Sequence, residues 1–289
     1  MTVAECAHAA AAALVCAGHT PGDSRRDVAV LIRHILGWDA ARWLTHQRNQ
    51  APASLAAALV PLVERRAAGE PIAYLTGERE FYGRAFAVTR DVLIPRPETE
   101  LVVDVACRLV DAAGGTRSIL AVDVGTGSGC LAVTLAAERV QTFVAATDVS
   151  PRALEVAAGN AARHGVASRI SFRHQSLVGN DLTAVDLVVS NPPYIAETDA
   201  ETLMRDVRDF EPALALFGGG DGLDIIRRLI PQAFAALRPG GALVMEIGAG
   251  QFDTVNQLLR HAGFRSTVPH PDLANIIRVV SAERPRPSV

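Results

Sequence analysis

Ile119-Leu120-Ala121-Val122-Asp123-Val124-Gly125-Thr126-Gly127-Ser128-Gly129, running on into Cys130–Glu138, is the stretch that decides the fold. The first six residues are apolar except for Asp123, as a strand buried on both faces should be. Three glycines at alternate positions then allow a tight turn and a close backbone approach. Cys130–Glu138 follows with good helix formers. A strand passing through a glycine turn into a helix is the opening unit of an α/β sheet, whose ligands bind beyond the carboxyl ends of the strands.

Downstream, the alternation continues. Thr142–Thr147 reads as a strand ending at Asp148, Pro151–His164 as a helix, and Ile170–Arg173 and Val185–Ser190 as two further strands. Then come a helix over Leu223–Leu237, a strand over Ala242–Ile247, a helix over Phe252–Ala262, and a final pair of strands around Phe264–Val268 and Ile276–Val280. The pattern predicts a doubly wound α/β sheet of seven strands, with the tail Ala282–Val289 frayed. Upstream, a helix from about Thr99 to Ala112 is expected to close at Gly114-Gly115. Before it, Phe81, Tyr82, Phe86 and Val88 surround Gly83 in a hairpin-like segment that runs to Ile94-Pro95-Arg96-Pro97-Glu98-Thr99-Glu100. The first part of the chain reads only as helices, Ala4–Ala17, Ser24–Leu36, Ala40–Thr45 and Pro52–Ala68. The expected organisation is a helical module over 1–78, a hairpin-like linker over 79–100, and the sheet domain over 101–289.

Composition narrows the chemistry. The chain of 289 residues contains no lysine, which excludes a P-loop, a pyridoxal Schiff base and a protein kinase, since each needs that residue. A net charge of −3 does not favour a surface built to grip long nucleic acid. Cys6, Cys16, Cys107 and Cys130 form neither a disulfide framework nor a metal-ligand spacing, so a reduced, cytoplasmic protein without metal is expected. The apolar run Ala9–Ala17 is too short to span a bilayer and lacks the positive flank of a signal peptide, so it reads as an alanine-rich helix.

Three elements carry the chemistry. In the loop Gly125, Thr126, Gly127, Ser128, Gly129 the spacing is G-x-G-x-G, whereas the dinucleotide fingerprint needs a further residue before its last glycine. The loop has no arginine, which suits a ligand without phosphate such as S-adenosylmethionine. Asp148 lies 25 residues beyond Asp123, where its carboxylate is expected to meet the ribose hydroxyls of an adenosine rather than protein groups. That spacing alone suits NAD equally.

The third element is Asn191-Pro192-Pro193-Tyr194, at the end of the strand Val185–Ser190. Two consecutive prolines can join neither a sheet ladder nor a helix interior, so the backbone leaves the strand in a stiff, extended course. The side-chain oxygen of Asn191 and the carbonyl of Pro192 can then accept the two N–H groups of a planar nitrogen. Its lone pair is thereby turned toward an incoming methyl, and the charge that develops is stabilised. Tyr194 offers a flat face for the planar group. Residue chemistry reaches as far as a planar amine or amide.

Together these elements resemble the class I methyltransferases, and the N-P-P-Y tetrapeptide resembles their amino-methylating branch. The segment Ile94–Glu100 and the run Val207-Arg208-Asp209-Phe210-Glu211-Pro212, with Ala213-Leu214 and Gly218 to Asp224, look like the release factor glutamine methyltransferases. The helical module ahead of the catalytic domain fits that family too. The resemblance implies a monomeric, cytoplasmic enzyme that uses S-adenosylmethionine to methylate the glutamine of the Gly-Gly-Gln motif in class I peptide chain release factors. Neither stable nucleic acid binding nor a membrane is implied. Asn191, Pro192 and Tyr194 would be catalytic, and Asn191, Pro192, Pro193 and Tyr194 would hold the substrate. Gly125 to Gly129, Asp148, Ser176 and Asn191 would hold the cofactor. The chain departs from the family at His174-Gln175-Ser176-Leu177, where an acidic residue usually reaches the adenine. The alternative is an adenine-N6 methyltransferase acting on DNA or RNA. Against it, the residues after Tyr194 are needed to finish the sheet, which leaves no base-recognition domain.

Overall fold

A computed structural model describes residues 1–113 and 117–287, so the expected helix stop at Gly114-Gly115 lies outside the described residues. The chain divides into two compact units, Met1–Glu78 with Met204–Phe210, and Arg79–Leu203 with Glu211–Val289.

The first unit is built on helices α1 (Val3–Cys16), α2 (Pro21–Leu36), α3 (Ala40–His46), α4 (Ala53–Ala67) and α5 (Ile72–Thr76). Side chains cap the first three, and α2 begins at Pro21, three residues before the expected Ser24. Thr2 and Glu5 form a reciprocal capping box on α1, Thr20 caps α2 ahead of Pro21, and Asp39 caps α3. Val28, Leu31 and Ile32 on α2 bury against Leu14 of α1 and Leu55 and Leu59 of α4, at the spacing of one helical face. Helix α5 was not expected from the sequence, because a five-residue turn carries too little periodicity to read.

The second unit opens with a hairpin, β1 (Glu78–Phe81) and β2 (Arg84–Ala87). Tyr82 and Gly83, at φ 53° and 70°, make its turn, the left-handed pair that a two-residue hairpin requires. Residues 79–100, expected as a linker, belong to this unit: Phe81 and Phe86 are buried in one cluster with Val102, Val103 and Ala106 of α6 (Glu100–Ala112). In chain order there follow β3 (Ile119–Val124), α7 (Cys130–Glu138), β4 (Thr142–Asp148), α8 (Pro151–Arg163), β5 (Ile170–His174) and β6 (Val185–Ser190). Two short helices, α9 (Arg205–Phe210, in the first unit) and α10 (Ala213–Leu216), precede α11 (Asp224–Ala236) and β7 (Leu237–Glu246). The chain continues through α12 (Phe252–His261), β8 (Arg265–Pro271) and β9 (Ile277–Glu283).

The seven strands stand in the order β5-β4-β3-β6-β7-β9-β8. All neighbours from β5 to β7 pair in parallel, while β9 runs antiparallel to both β7 and β8. Alternation along each strand sorts the core into two faces. Ala121, Val144, Leu187 and Val244 pack with α6 and α7, whereas Val122, Ala145, Val188 and Leu243 pack with α11 and α12. Ala282 and Glu283, expected to fray, complete β9, and residues 288–289 of that tail lie outside the described ones. Among the described residues no helix is long and apolar enough to cross a membrane.

Candidate active site

Register brings the two motifs to one edge of the sheet. Val124 of β3 stands beside Thr147 of β4 and Ser190 of β6, so the glycine loop, Asp148 and Asn191 all begin at the carboxyl ends of adjacent parallel strands. The Ser190 hydroxyl donates to the Val124 carbonyl at 2.8 Å and ties two of those ends together.

Within the loop, Gly125, Gly127 and Gly129 adopt φ of 71°, 53° and 80°, a region closed to most side chains. A Cβ on Gly125 would meet nothing within 4 Å, so that backbone borders open space. One on Gly129 would lie 3.0 Å from the Ala157 Cβ, which makes the last glycine a packing requirement between α7 and α8. The Gly125 and Thr126 amides both donate to the Thr147 carbonyl at 2.9 Å. Asp123, fully buried, accepts from the Thr126 hydroxyl and the Ala132 amide through Oδ2, while its Oδ1 has no partner among the described residues. Burial pushes its carboxyl up to about 7, against those two hydrogen bonds and with a small contribution from the Asp148 charge.

Asp148 ends β4, half-buried. The expectation that its carboxylate would face no protein group needs correction: Oδ2 accepts from the Gly127 amide and Oδ1 from the Ser150 amide, each at 2.9 Å. The side chain thus fixes the loop and keeps one lone pair on each oxygen for a ligand. Ser150, and not Asp148, caps α8. Ser176 is exposed, its hydroxyl 3.5 Å from an Arg228 guanidinium nitrogen, although the Gln175 amide and the Leu177 carbonyl fasten its loop to Asp148 and Thr147.

The Asn191-Pro192-Pro193-Tyr194 segment is braced from behind. The Ile195 amide donates to the Leu216 carbonyl, the Gly218 amide to the Ile195 carbonyl, and Gln251 Nε2 to the Tyr194 carbonyl. A Cβ on Gly222 would sit 2.2 Å from the Tyr194 oxygen and one on Gly218 2.6 Å from the Pro193 oxygen, so two backbones touch where only glycine fits. The side chains form a chain of their own. Asn191 Nδ2 donates to Thr99 Oγ1 at 3.0 Å, Thr99 donates to Glu246 Oε2 at 2.6 Å, and the Tyr194 hydroxyl donates to Glu246 Oε1 at 3.1 Å. No protein hydrogen bond engages Asn191 Oδ1 or the Pro192 carbonyl among the described residues. Burial pushes Glu246 up to about 7 despite its two donors, and burial followed by the Glu246 charge raises the Tyr194 phenol far above its ordinary range.

Sequence reasoning missed Glu246, whose only signal is an acidic residue at the end of a buried apolar strand. Thr99 and Arg96 stand inside Ile94–Glu100 and Glu211 inside Val207–Pro212, and no local pattern sets them apart from their neighbours. Glu211 is buried and accepts from the Ile94 amide at 3.1 Å and from the Arg96 guanidinium, locking Ile94–Glu100 in place.

Residues 5–77 match the family described as "PrmC N-terminal domain" and residues 102–210 the family described as "Methyltransferase small domain". The release factor glutamine methyltransferase of Cereibacter sphaeroides is 44% identical over 99% of this chain and 99% of its own length. Those of Koribacter versatilis and Bordetella pertussis are 41% and 43% identical over 93% and 90% of this chain, and 94% of each of theirs. Among solved structures, the human METTL16 catalytic domain in complex with an RNA hairpin is 17% identical, covering 79% of this chain and 84% of that one with a TM-score of 0.58. The N-terminal domain of human METTL16 in complex with SAH is also 17% identical, with a TM-score of 0.51 and coverage of 70% and 76%. At that identity both likenesses concern the fold alone.

Proposed function

We propose, for a chain that belongs to the release factor glutamine methyltransferase family, that it transfers a methyl group from S-adenosylmethionine to the side-chain amide nitrogen of the glutamine in the Gly-Gly-Gln motif of class I peptide chain release factors. The observation that carries this reading is the hold on Asn191. Its amide nitrogen is committed to Thr99, so its oxygen is left as an acceptor at the same edge as the glycine loop. A glutamine amide has two N–H donors, and Asn191 Oδ1 with the Pro192 carbonyl supplies two acceptors. Held by both, the nitrogen loses rotational freedom and has its lone pair directed out of the amide plane, where developing positive charge meets two fixed dipoles. Pro193 stiffens the course and Tyr194 offers its ring to the amide plane.

The cofactor loop fits S-adenosylmethionine: Gly125 borders open space, Asp123 Oδ1 is an unpartnered acceptor suited to a cationic ligand, and the loop carries no arginine. Gly125, Thr126, Gly127, Ser128 and Gly129 would hold its methionine part, Asp148 its ribose, and the loop at Ser176 its adenine. When bound, S-adenosylmethionine supplies an electrophilic methyl on a sulfonium. Residues 1–78 serve to dock the release factor, and the enzyme acts as a cytoplasmic monomer.

The test incubates the purified chain and labelled S-adenosylmethionine with release factor, tRNA, rRNA or DNA. Label in release factor alone is expected. Label in nucleic acid and none in release factor would replace this reading with the adenine-N6 alternative.

A further inference from the structure

We propose that Glu246 is a positioning residue for Asn191, its charge deciding through the Thr99 hydroxyl which end of the Asn191 amide faces the substrate. The inference rests on the reading of Asn191 as an acceptor for the glutamine amide and adds a control over that acceptor.

The argument follows the protons. A threonine hydroxyl has one hydrogen, and here it is given to Glu246 Oε2 at 2.6 Å, so toward Asn191 the Thr99 oxygen can only accept. Asn191 therefore presents Nδ2 to Thr99, at 3.0 Å, and Oδ1 to the other side. With Glu246 ionised, both of its oxygens accept, one from Thr99 and one from Tyr194, and the chain of donors runs one way. A proton on Oε2 reverses it. The carboxylic acid then donates to Thr99 Oγ1, whose hydrogen turns toward Asn191 and is accepted only if that amide flips. Nδ2 would then face the substrate nitrogen, a donor against a donor.

The groups around Glu246 set where that reversal falls. Glu246 is 1% exposed at the end of β7. Facing it are the Tyr194 phenol beyond β6, the Glu98 carboxylate on the turn before α6, the Arg278 guanidinium on β9 and the Cys130 thiol at the start of α7. Arg278 favours the carboxylate but is itself paired with Asp272, and Glu98 opposes it. Burial outweighs both and pushes Glu246 up to about 7, so its charge changes within the working range of a cytoplasmic enzyme.

Single-turnover methylation of release factor at saturating S-adenosylmethionine, followed from about pH 5.5 to about pH 8.5, tests this in wild type, Glu246→Gln, Thr99→Val and Thr99→Ser. Cofactor affinity and thermal unfolding are measured beside each variant. The wild-type rate should rise through about pH 7 as Glu246 ionises, falling about tenfold per pH unit below it. Glu246→Gln and Thr99→Val should lower the rate about tenfold or more at high pH and abolish the rise, with cofactor affinity kept. Thr99→Ser, which retains the hydroxyl, should recover both the rate and the rise. A rise that persists in Glu246→Gln or in Thr99→Val overturns the proposal. If those two variants fail to fold, a flat wild-type profile overturns it. Methyl transfer with a flat profile sinks this inference alone, whereas no transfer to release factor at any pH sinks the functional reading and this inference with it.

Discussion

An asparagine amide has two ends of nearly equal shape and opposite hydrogen-bonding character, so its usefulness as an acceptor depends on what holds the other end. In this chain Thr99 holds it. Asn191→Ala removes the acceptor, and by analogy with the loss of one oxyanion-hole donor the rate should fall about 10²–10³-fold with cofactor affinity little changed. Asn191→Asp keeps an oxygen toward the substrate but sets another against the Thr99 oxygen, whose proton is already given to Glu246. The expected order of single-turnover rates is asparagine, aspartate, alanine, and an alanine variant as fast as wild type would remove Asn191 from the chemistry. At this scale the sequence was legible where a residue announces its own constraint, as the paired prolines after Asn191 do. It was silent where a role is conferred by distant residues: nothing in Pro97-Glu98-Thr99 announces a hydrogen bond to residue 246, and Asp148 gave no sign of its bonds to Gly127 and Ser150.

Two of the buried carboxyls, Asp123 and Glu246, stand near the carboxyl ends of strands. Asp123 is the next-to-last residue of β3 and Glu246 the last of β7, and burial pushes each carboxyl up to about 7. A carboxyl whose folded value lies above its unfolded one binds more protons in the folded state between the two. Stability contributed by that proton is therefore present at low pH and lost as pH rises through the window from the ordinary carboxyl value to about 7. For Glu246 alone the difference from 4.5 to about 7 is worth about 3 kcal/mol. Glu246→Gln should accordingly melt higher than wild type at pH about 8 and show a smaller decline from pH about 5, while methylating more slowly. A variant less stable than wild type at the higher pH would mean that the two hydroxyl donors more than offset burial. Strands β3 and β6 were legible to the residue, because mainly apolar runs that stop at Gly125 and at Asn191-Pro192 permit one reading. The start of β7 was not. Its first residues, Leu237-Arg238-Pro239-Gly240-Gly241, look like a loop, and only pairing with β6 across an irregular register makes them strand. Helices α5, α9 and α10 have four to six residues and were invisible to periodicity.

Across the whole molecule, every residue assigned to cofactor or glutamine lies in the unit Arg79–Leu203 with Glu211–Val289, and none in the unit that holds residues 1–78. That division motivates a docking role for the first unit. Removing residues 1–78 should keep the dissociation constant for S-adenosylmethionine within about threefold by calorimetry. It should lower kcat/KM for intact release factor about tenfold or more, yet change transfer to a short Gly-Gly-Gln peptide little. Equal losses on protein and peptide would point to damage in the catalytic unit and not to docking. The change from helices to a hairpin near residue 78 falls where the first unit gives way to the second. The sequence did not reveal that Met204–Phe210 returns to the first unit, since a segment's partner across some 130 residues leaves no local trace. The central claim, that the amide nitrogen held by Asn191 and Pro192 belongs to a release factor glutamine, is met most directly by mass-spectrometric mapping of release factor after incubation with the enzyme and S-adenosylmethionine. One methyl group on the side-chain nitrogen of the Gly-Gly-Gln glutamine, lost when that glutamine is replaced by alanine, is the predicted result; a methyl group on another residue, or an unmodified glutamine after full turnover, would contradict it.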